Sequence, residues 1–278
     1  MHAVLEGFYK LPHQRRTLKY LYNRWRVVSR DLDAEYKELG RGMLEGYFEW
    51  ISVMDSTRFL TVATEKRLGM MIKTALGKVM VSGQLDSLWL EKATGRLFVV
   101  DHKTYANFPN DSFYTTNPQT YVYMLLLQKN GLQASGFIYN ILRKTNRVEP
   151  SVNKDGSISI RNSNVSLKSF VDTAERLKLD LNQPRYIKFM EEMQKFPAFK
   201  RVEIEYSQLR GTAALSELHV QATALLSFYK HGFYPNYSDK CGYCAFKHLC
   251  EVKSSGGNVK ETIERNYSVR GTLLQVEM

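Results

Sequence analysis

The chain has 278 residues, a hydrophobic share of 44%, a formal net charge of +11 and a pI near 9.4. At this length we expect one large domain or a domain with an insertion, and the apolar share is sufficient for a core. The charge favours a polyanionic partner without distinguishing DNA from RNA. No apolar run approaches the roughly 18 residues of a membrane span, and no signal peptide is recognisable, so a soluble, cytoplasmic protein without a membrane partner is expected.

The N-terminal part of the chain, residues 1–52, is predicted to be helical. Apolar residues at helical spacing indicate a first helix that ends at Pro12. A long second helix is expected from about Gln14 to Trp50, with an interruption near Gly40–Gly42. Its many arginine and lysine residues fit a solvated face and phosphate contacts equally well.

Strand patterns follow this helical part. The segment Arg58–Lys66 predicts the first strand of a sheet, and Val79–Thr104 predicts a β-hairpin with its turn at Ala93–Gly95. The first half of the hairpin alternates apolar and polar residues, as a half-buried strand does. Because alternate residues of a strand share a face, Asp101 and Lys103 are expected to point the same way.

Asp86 on the first strand of the hairpin brings a second carboxylate close to Asp101 if the two face the same way. Neighbouring carboxylates repel each other, and a divalent cation such as Mg²⁺ removes that conflict. Lys103 then orients a metal-bound water or stabilises charge on a phosphate, which is the chemistry of phosphodiester hydrolysis. The Asp…Asp-x-Lys pattern alone also fits an ordinary surface ion pair, so the neighbouring residues must decide between an ion pair and a metal site. Gly83 permits close approach to the hairpin, and an apolar helix follows from Gln119.

Four short motifs connect these residues to a known family. They are a histidine near the N-terminus, Gly-x-x-Asp, Asp-x-Lys and Gln-x-x-x-Tyr, and they occur here as His2, Gly83 with Asp86, Asp101-His102-Lys103, and Gln119 with Tyr123. In type, order and spacing they resemble the RecB-type (CRISPR-associated or AddB-like) nucleases of the PD-(D/E)XK superfamily. Each motif alone is weak, whereas the four in order are specific. The resemblance is close over about Met1–Gln128.

The resemblance implies an α/β fold, in which a central mixed sheet is flanked by helices. It implies one nuclease domain over residues 1–253, with a catalytic core at about 56–143. The helical N-terminal part and a helical, cysteine-containing region at about 167–253 would be additions to that core. Residues 254–278 are expected to form a loosely packed tail.

It also implies the residues of a metal site. His2, Asp86, Asp101 and the backbone carbonyl of His102 would hold Mg²⁺ or Mn²⁺. Lys103 would position the attacking water and stabilise the phosphate.

Three further side chains have expected roles around these groups. Gln119 and Tyr123 share one face of their helix and would orient the lysine and the substrate. Glu65 resembles an acidic residue of the first strand, with a secondary role through water or a basic neighbour. A polar loop over residues 105–117 is expected near the mouth of the site.

The rest of the chain carries no chemistry of its own up to residue 231. A strand at Ala134–Arg143 is expected to run parallel to its predecessor through the crossover helix. The other expected elements are a hairpin around Asp155–Gly156 within residues 145–166, a helix over 167–196 broken at Pro184, an edge strand at Arg201–Tyr206 and a helix over 212–231.

The three cysteines cluster as Cys241, Cys244 and Cys250, and this spacing favours a metal site over a disulfide framework. The family resemblance implies a [4Fe–4S] cluster, to which a fourth cysteine near the N-terminus contributes. The sequence has no fourth cysteine, so we expect that the natural chain has an additional N-terminal segment. The alternative is Zn²⁺ with His248 as the fourth ligand.

Together these features predict a metal-dependent DNA nuclease, an exonuclease acting on single- or double-stranded DNA ends. Repair, recombination, and phage or CRISPR DNA processing are the settings that the resemblance implies, with the host cytoplasm as the location if the protein is phage-encoded. A recombination or helicase protein would be the partner. The alternatives are a non-catalytic nucleic-acid-binding protein and a partner subunit of a recombination complex.

Overall fold

The computed structural model describes residues 1–144, 150–160, 167–194, 198–232 and 238–268. The helices of this part are α1 (His2–Lys10), α2 (Leu18–Val28), α3 (Ala34–Arg58), α4 (Asp111–Thr116), α5 (Pro118–Lys129), α6 (Leu167–Arg176), α7 (Pro184–Gln194), α8 (Gln208–His231), α9 (Lys247–Ser254) and α10 (Val259–Asn266), with short 3-10 turns at His13–Arg15 and Asp239–Tyr243. The strands are β1 (Phe59–Thr74), β2 (Gly77–Glu91), β3 (Leu97–Tyr105), β4 (Gly136–Arg143) and β5 (Phe199–Glu205).

A mixed five-stranded sheet in the order β1-β2-β3-β4-β5 organises the fold. Strand β3 is antiparallel to β2 and parallel to β4, and β5 returns antiparallel to β4. The parallel step needs a crossover, which α5 supplies between β3 and β4. This arrangement confirms the expected α/β fold with a mixed sheet flanked by helices.

The chain divides into two compact units, one of residues 1–69 with 82–211 and the other of residues 70–81 with 212–278. The first unit contains all the residues of the expected metal site. The second contains most of α8 and the three cysteines. The expected single domain over 1–253 remains a prediction.

The predicted interruption of the long N-terminal helix at Gly40–Gly42 is wrong. The helix breaks earlier, between α2 and α3, and α3 runs through both glycines. At Gly40 a Cβ atom would lie 2.0 Å from Cζ2 of Trp25. The indole of Trp25 also donates to the carbonyl of Lys37 at 2.9 Å. Glycine therefore serves close packing of α2 on α3 and does not break the helix.

One other segment differs from expectation. The polar loop over 105–117 contains α4, because Asn110 caps that helix and Tyr114 within it is fully buried. The tail after residue 253 contains α10, which Asn258 caps through the backbone N–H of Glu261 and which has no buried residue, so the expected loose packing of the tail stays a prediction. In the region of the expected hairpin, a bridge joins Val152 and Ile158, and its flanks at 145–149 and 161–166 lie outside the described residues.

Helix α1 is held on the sheet by one buried face. Val4, Leu5, Phe8 and Tyr9 are at most 2% exposed and belong to a core cluster that includes Trp89 of β2. Each such side chain contributes about 1.5–3 kcal/mol on burial. Since α1 begins at His2, burial of this face also fixes the position of that histidine.

Gly83 of β2 lies beneath α5, where a Cβ atom would be 2.7 Å from Cε1 of Tyr123 and 3.1 Å from Cδ1 of Leu126. We expect Gly83→Val to lower the free energy of unfolding by about 1–3 kcal/mol because the added methyl groups overpack this contact. Urea denaturation measures the change. Ser82→Val, at the exposed neighbouring position, is the control and should change stability by about 0.5 kcal/mol or less. A Gly83→Val protein as stable as the wild type would contradict the close packing.

Candidate active site

An ion pair on β3 forms the centre of the candidate site. The ammonium of Lys103 lies 2.8 Å from Oδ2 of Asp101, whose side chain is only 3% exposed. No hydrogen bond of good geometry reaches this oxygen among the described residues. The attraction to Lys103, which is 25% exposed, is therefore the interaction that offsets the burial of Oδ2.

The second carboxylate, Asp86 of β2, joins three elements through one oxygen. Its Oδ2 accepts the backbone N–H of His102 at 2.7 Å and lies 3.1 Å from Nδ1 of His2. A carboxylate between a strand amide and an imidazole is a charge-assisted arrangement, stronger than a neutral hydrogen bond. The structure thus brings His2 of α1 and Asp86 together beside β3, as the family motif implies.

The two carboxylates have opposite pKa shifts. Burial raises the pKa of Asp101, and the negative charge of Asp86 raises it further, against the opposing effect of Lys103. Burial alone would raise the pKa of Asp86, but the hydrogen bond from His2 and the contacts with His102 outweigh it and lower that pKa. The hydrogen bond to Asp86 in turn raises the pKa of His2. Asp86 is therefore the more strongly ionised carboxylate.

Of the two α5 residues in the family motif, only Gln119 contacts the charged group. Its Nε2 donates to Oδ1 of Asp101 at 3.3 Å. The ring of Tyr123 packs over Gly83 and lies 6.4 Å from the ring of Phe137, centroid to centroid. Gln119 therefore steadies the carboxylate, whereas Tyr123 holds α5 against the sheet.

Glu65 of β1 has a different environment. Its Oε2 accepts a hydrogen bond from the amide of Gln84 on β2. The backbone of Glu65 has a φ of 49°, in the left-handed region that is uncommon for a residue other than glycine. Within the described residues no hydrogen bond or ion pair joins Glu65 to Asp86 or Asp101. Its expected secondary role stays a prediction.

The imidazole of His102 points away from Asp101 and Lys103, into a buried polar cluster that the sequence did not reveal. Its Nδ1 lies 3.0 Å from the amide nitrogen of Asn140, which also donates to the hydroxyl of Tyr47. Because Arg201 donates to Oδ1 of Asn140 at 3.2 Å, the amide nitrogen must face the imidazole. The proton of His102 is therefore on Nε2, which has no partner among the described residues.

The ring of His102 is also stacked on Tyr9, with centroids 5.3 Å apart and planes 16° from parallel. Burial lowers its pKa to about 4, and the nearby guanidinium of Arg201 acts in the same direction. The imidazole is therefore neutral. The alternation of side chains along β3 was the sequence signal that could have predicted the orientation of His102, since a residue between Asp101 and Lys103 must face the other side of the sheet.

The three cysteines lie in the second unit, Cys241 and Cys244 around the 3-10 turn and Cys250 in α9. The Sγ of Cys241 accepts the backbone N–H of Ser238 at 3.2 Å. His248 is near an acidic side chain, with Nδ1 at 3.9 Å from Oε2 of Glu251. No disulfide joins these cysteines.

Neither expected metal site is preassembled. In the part of the chain that the structure describes, no three His, Cys, Asp or Glu side chains are grouped at metal-binding distances. The donor types around Asp86 and Asp101 nevertheless suit a hard divalent cation, because they comprise two carboxylates and one imidazole. The buried Oδ2 of Asp101, without a hydrogen bond, is the ligand atom that fits best.

Comparison with known proteins identifies the family. The model of the PD-(D/E)XK nuclease superfamily matches residues 1–251. The chain belongs to this superfamily. Its members are typically metal-dependent nucleases that hydrolyse phosphodiester bonds, and Mg²⁺ or Mn²⁺ is their usual metal. No curated protein matches the sequence significantly.

Two solved structures are similar to this nuclease-superfamily chain. The crystal structure of SSO0001 is 15% identical, with a TM-score of 0.36, and the match covers 82% of this chain and 81% of that one. A candidate exonuclease from Eubacterium rectale is 11% identical, with a TM-score of 0.44, and the match covers 99% and 77% of the two chains. Among the described residues, no helix is both long and apolar enough to cross a membrane.

The buried imidazole generates a pH-dependent stability. His102 has a pKa of about 4 in the folded protein, below the ordinary value of about 6.5, so the unfolded chain binds more protons between these values. Its contribution is therefore complete above about pH 6.5 and is lost as the pH falls towards 4. Between about pH 7 and 5.5 we expect the wild type to lose about 1 kcal/mol more than His102→Phe, which keeps a ring on Tyr9 but does not titrate.

Urea denaturation of both proteins in EDTA, at the two pH values, measures this difference. His13→Phe, at an exposed position in the first 3-10 turn, is the control and should follow the wild type. Equal pH dependence in the wild type and His102→Phe would show that the imidazole titrates as it does in the unfolded chain.

Proposed function

We propose that this protein is a metal-dependent DNA exonuclease. The observation that supports the proposal most directly is the buried ion pair of Asp101 and Lys103, with Asp86 beside it and His2 on Asp86. Burial of a carboxylate opposite a partly exposed lysine is costly, and removal of either partner leaves an uncompensated charge. A protein that only bound nucleic acid would gain nothing from this arrangement, so the enzyme is favoured over the non-catalytic alternative.

The metal would be held by His2, Asp86, Asp101 and the backbone carbonyl of His102. A bound Mg²⁺ or Mn²⁺ supplies an activated water and neutralises charge on the phosphate. Lys103 would orient that water and stabilise the charge that develops on the phosphate oxygens. Gln119 would keep the carboxylate of Asp101 in place, and Tyr123 would keep α5 on the sheet.

DNA ends are proposed as the substrate from the net charge of +11 and from the resemblance to RecB-type nucleases. The same resemblance supports a cytoplasmic setting in repair, recombination, or phage or CRISPR DNA processing, with a helicase or recombination partner. Affinity would come from many phosphate contacts, whereas chemistry would come from a few groups on β2, β3 and α1.

The C-terminal cysteines are proposed as a second metal site. Cys241 and Cys244 are one turn apart in the chain, and Cys250 follows in the next helix. A [4Fe–4S] cluster is favoured by the resemblance, and Zn²⁺ with His248 is the alternative.

Removal of either member of the ion pair should abolish cleavage and spare binding. We expect Asp101→Asn and Lys103→Ala to reduce cleavage of end-labelled linear DNA in Mn²⁺ by about 10²–10³-fold or more, because each removes a group that acts on the metal or phosphate. Binding in EDTA should change little. Lys129→Ala, at an exposed position at the end of α5, is the control for the lost positive charge. Turnover near the wild-type rate in Asp101→Asn would remove the site from the mechanism.

A covalently closed circle tests the requirement for an end. Wild-type protein should degrade the linear form and leave the circle intact. Equal cutting of both forms would contradict the exonuclease assignment while leaving a nuclease.

Metal analysis of anaerobically purified protein tests the cysteine site. An iron–sulfur cluster gives a brown protein that contains iron and sulfide, both lost on Cys244→Ser. Zinc gives a colourless protein with one metal ion per chain, which His248→Ala should release. Stoichiometric zinc would contradict the iron–sulfur proposal, and absence of both metals would contradict a metal site. Cys244→Ala and Cys244→Ser should behave alike, since neither residue supplies a thiolate.

A further inference from the structure

The end of β4 lies on the same side of the sheet as the candidate active site. Strands β3 and β4 are parallel, with Lys103 level with Ile141 and Tyr105 level with Arg143. Level residues of paired strands share a face, and so do alternate residues of one strand. Arg143 therefore shares the face of Lys103. At about 3.3 Å per residue and about 4.8 Å between strands, their Cα atoms are about 8 Å apart.

Arg143 is a half-buried arginine whose guanidinium has no hydrogen-bond or ion-pair partner in the described part of the chain. Two other arginines next to the sheet are paired: Arg58, at the end of α3, with Glu91 and Glu203, and Arg96, just before β3, with Glu205. Burial lowers the pKa of Arg143, and no anion among the described residues opposes this effect. A partly desolvated cation of this kind is costly unless it is paired with an anion, and a DNA phosphate would supply one.

An aromatic pair lies next to this arginine. Tyr105, level with Arg143, is in edge-to-face contact with Phe113 of α4, with centroids 6.4 Å apart and planes at 89°. Burial raises the pKa of Tyr105, and Lys103 and Asp101 are close enough to affect it as well. Phe113 is 42% exposed. The pair therefore leads from the candidate active site to an exposed aromatic surface.

Helix α4 holds Phe113 on a fixed support. Tyr114 beside it is fully buried, with its ring 5.2 Å from that of Tyr139. Lys200 of β5 forms an ion pair with Asp111, and Arg210 donates to the carbonyl of Thr115 at 2.9 Å. A single exposed phenylalanine is common and needs no explanation. A supported phenylalanine near an arginine that has no partner among the described residues, on the face of the active site, is a more specific arrangement.

We propose that Arg143, Tyr105 and Phe113 form a nucleotide subsite for single-stranded DNA beside the candidate active site. Arg143 binds the phosphate next to the one at Lys103, and Phe113 stacks on the base of that nucleotide. Stacking on a protein ring requires an unstacked base, whose face is open in a single strand and covered in a duplex. The subsite rests on the proposed nuclease function and specifies its substrate class.

Binding of a fluorescein-labelled single-stranded oligonucleotide of about 12 nucleotides, in EDTA, tests the subsite without cleavage. Fluorescence anisotropy should show that Phe113→Ala weakens binding about 5- to 150-fold, the range for loss of one base–aromatic stack, and that Phe113→Trp retains it. Arg143→Ala should weaken binding and reduce the slope of log K against log salt by about 0.7, the value for one phosphate contact on a single strand. Arg143→Lys should keep the slope.

Lys144→Ala is the matched control, because it removes one positive charge from the exposed neighbouring position. It should bind more tightly than Arg143→Ala. Phe113→Ala should weaken the binding of a blunt duplex of the same sequence much less than it weakens the binding of the single strand.

The outcomes separate the two proposals. If Arg143→Ala and Phe113→Ala bind the single strand as tightly as the wild type while Asp101→Asn loses cleavage, the subsite is refuted and the nuclease stands. If wild-type protein neither binds nor cleaves DNA, the proposed function itself is refuted. Equal losses on single strand and duplex would refute the stacking role of Phe113.

Discussion

The bond from the backbone N–H of His102 to Oδ2 of Asp86 is the interaction on which the candidate site depends. It ties β2 to β3, and the contact of His2 with the same oxygen adds α1. Side chains alternate along a strand, so a shift of one residue would turn each side chain of β3 to the other face. Asp101 and Lys103 would enter the core, and the imidazole of His102 would face the site. The chemistry therefore depends on strand register.

Sequence patterns predicted those elements whose structure depends on residues close together in the chain. Alternation gave the hairpin, and the Asn-Pro step gave the start of α5, where Asn117 caps Gln119. The position of the break between α2 and α3 could not be predicted from the sequence. Gly40 indicated a break at the wrong place, because only its close packing against Trp25 on another helix explains this glycine. The six residues of α4 are too short for a periodic signal, and their order comes from tertiary contacts.

For the candidate site, too, residue spacing predicted the motif residues but not the contacts that depend on packing. The family motif predicted His2, Asp86, Asp101 and Lys103, and the structure pairs His2 with Asp86 and Asp101 with Lys103, while their roles stay predictions. The motif did not predict the partners of the imidazole of His102, nor that Arg143 has no partner among the described residues. Such pairings depend on which side chains meet across strands. Arg58 and Glu203, for example, are 145 residues apart in the chain, and no short pattern connects them.

Helix α1 combines a chemical and a structural role in nine residues. Its first residue contacts Asp86, while Tyr9 near its end covers the imidazole of His102 and bonds to the hydroxyl of Tyr47. If α1 separated from the sheet, one candidate metal ligand would leave and water would reach the neutral imidazole behind Asp101. Local opening at the N-terminus would thus abolish the proposed activity while Asp101 and Lys103 were still in place. Proteases that trim the N-terminal helix would inactivate the proposed nuclease without touching its acidic residues.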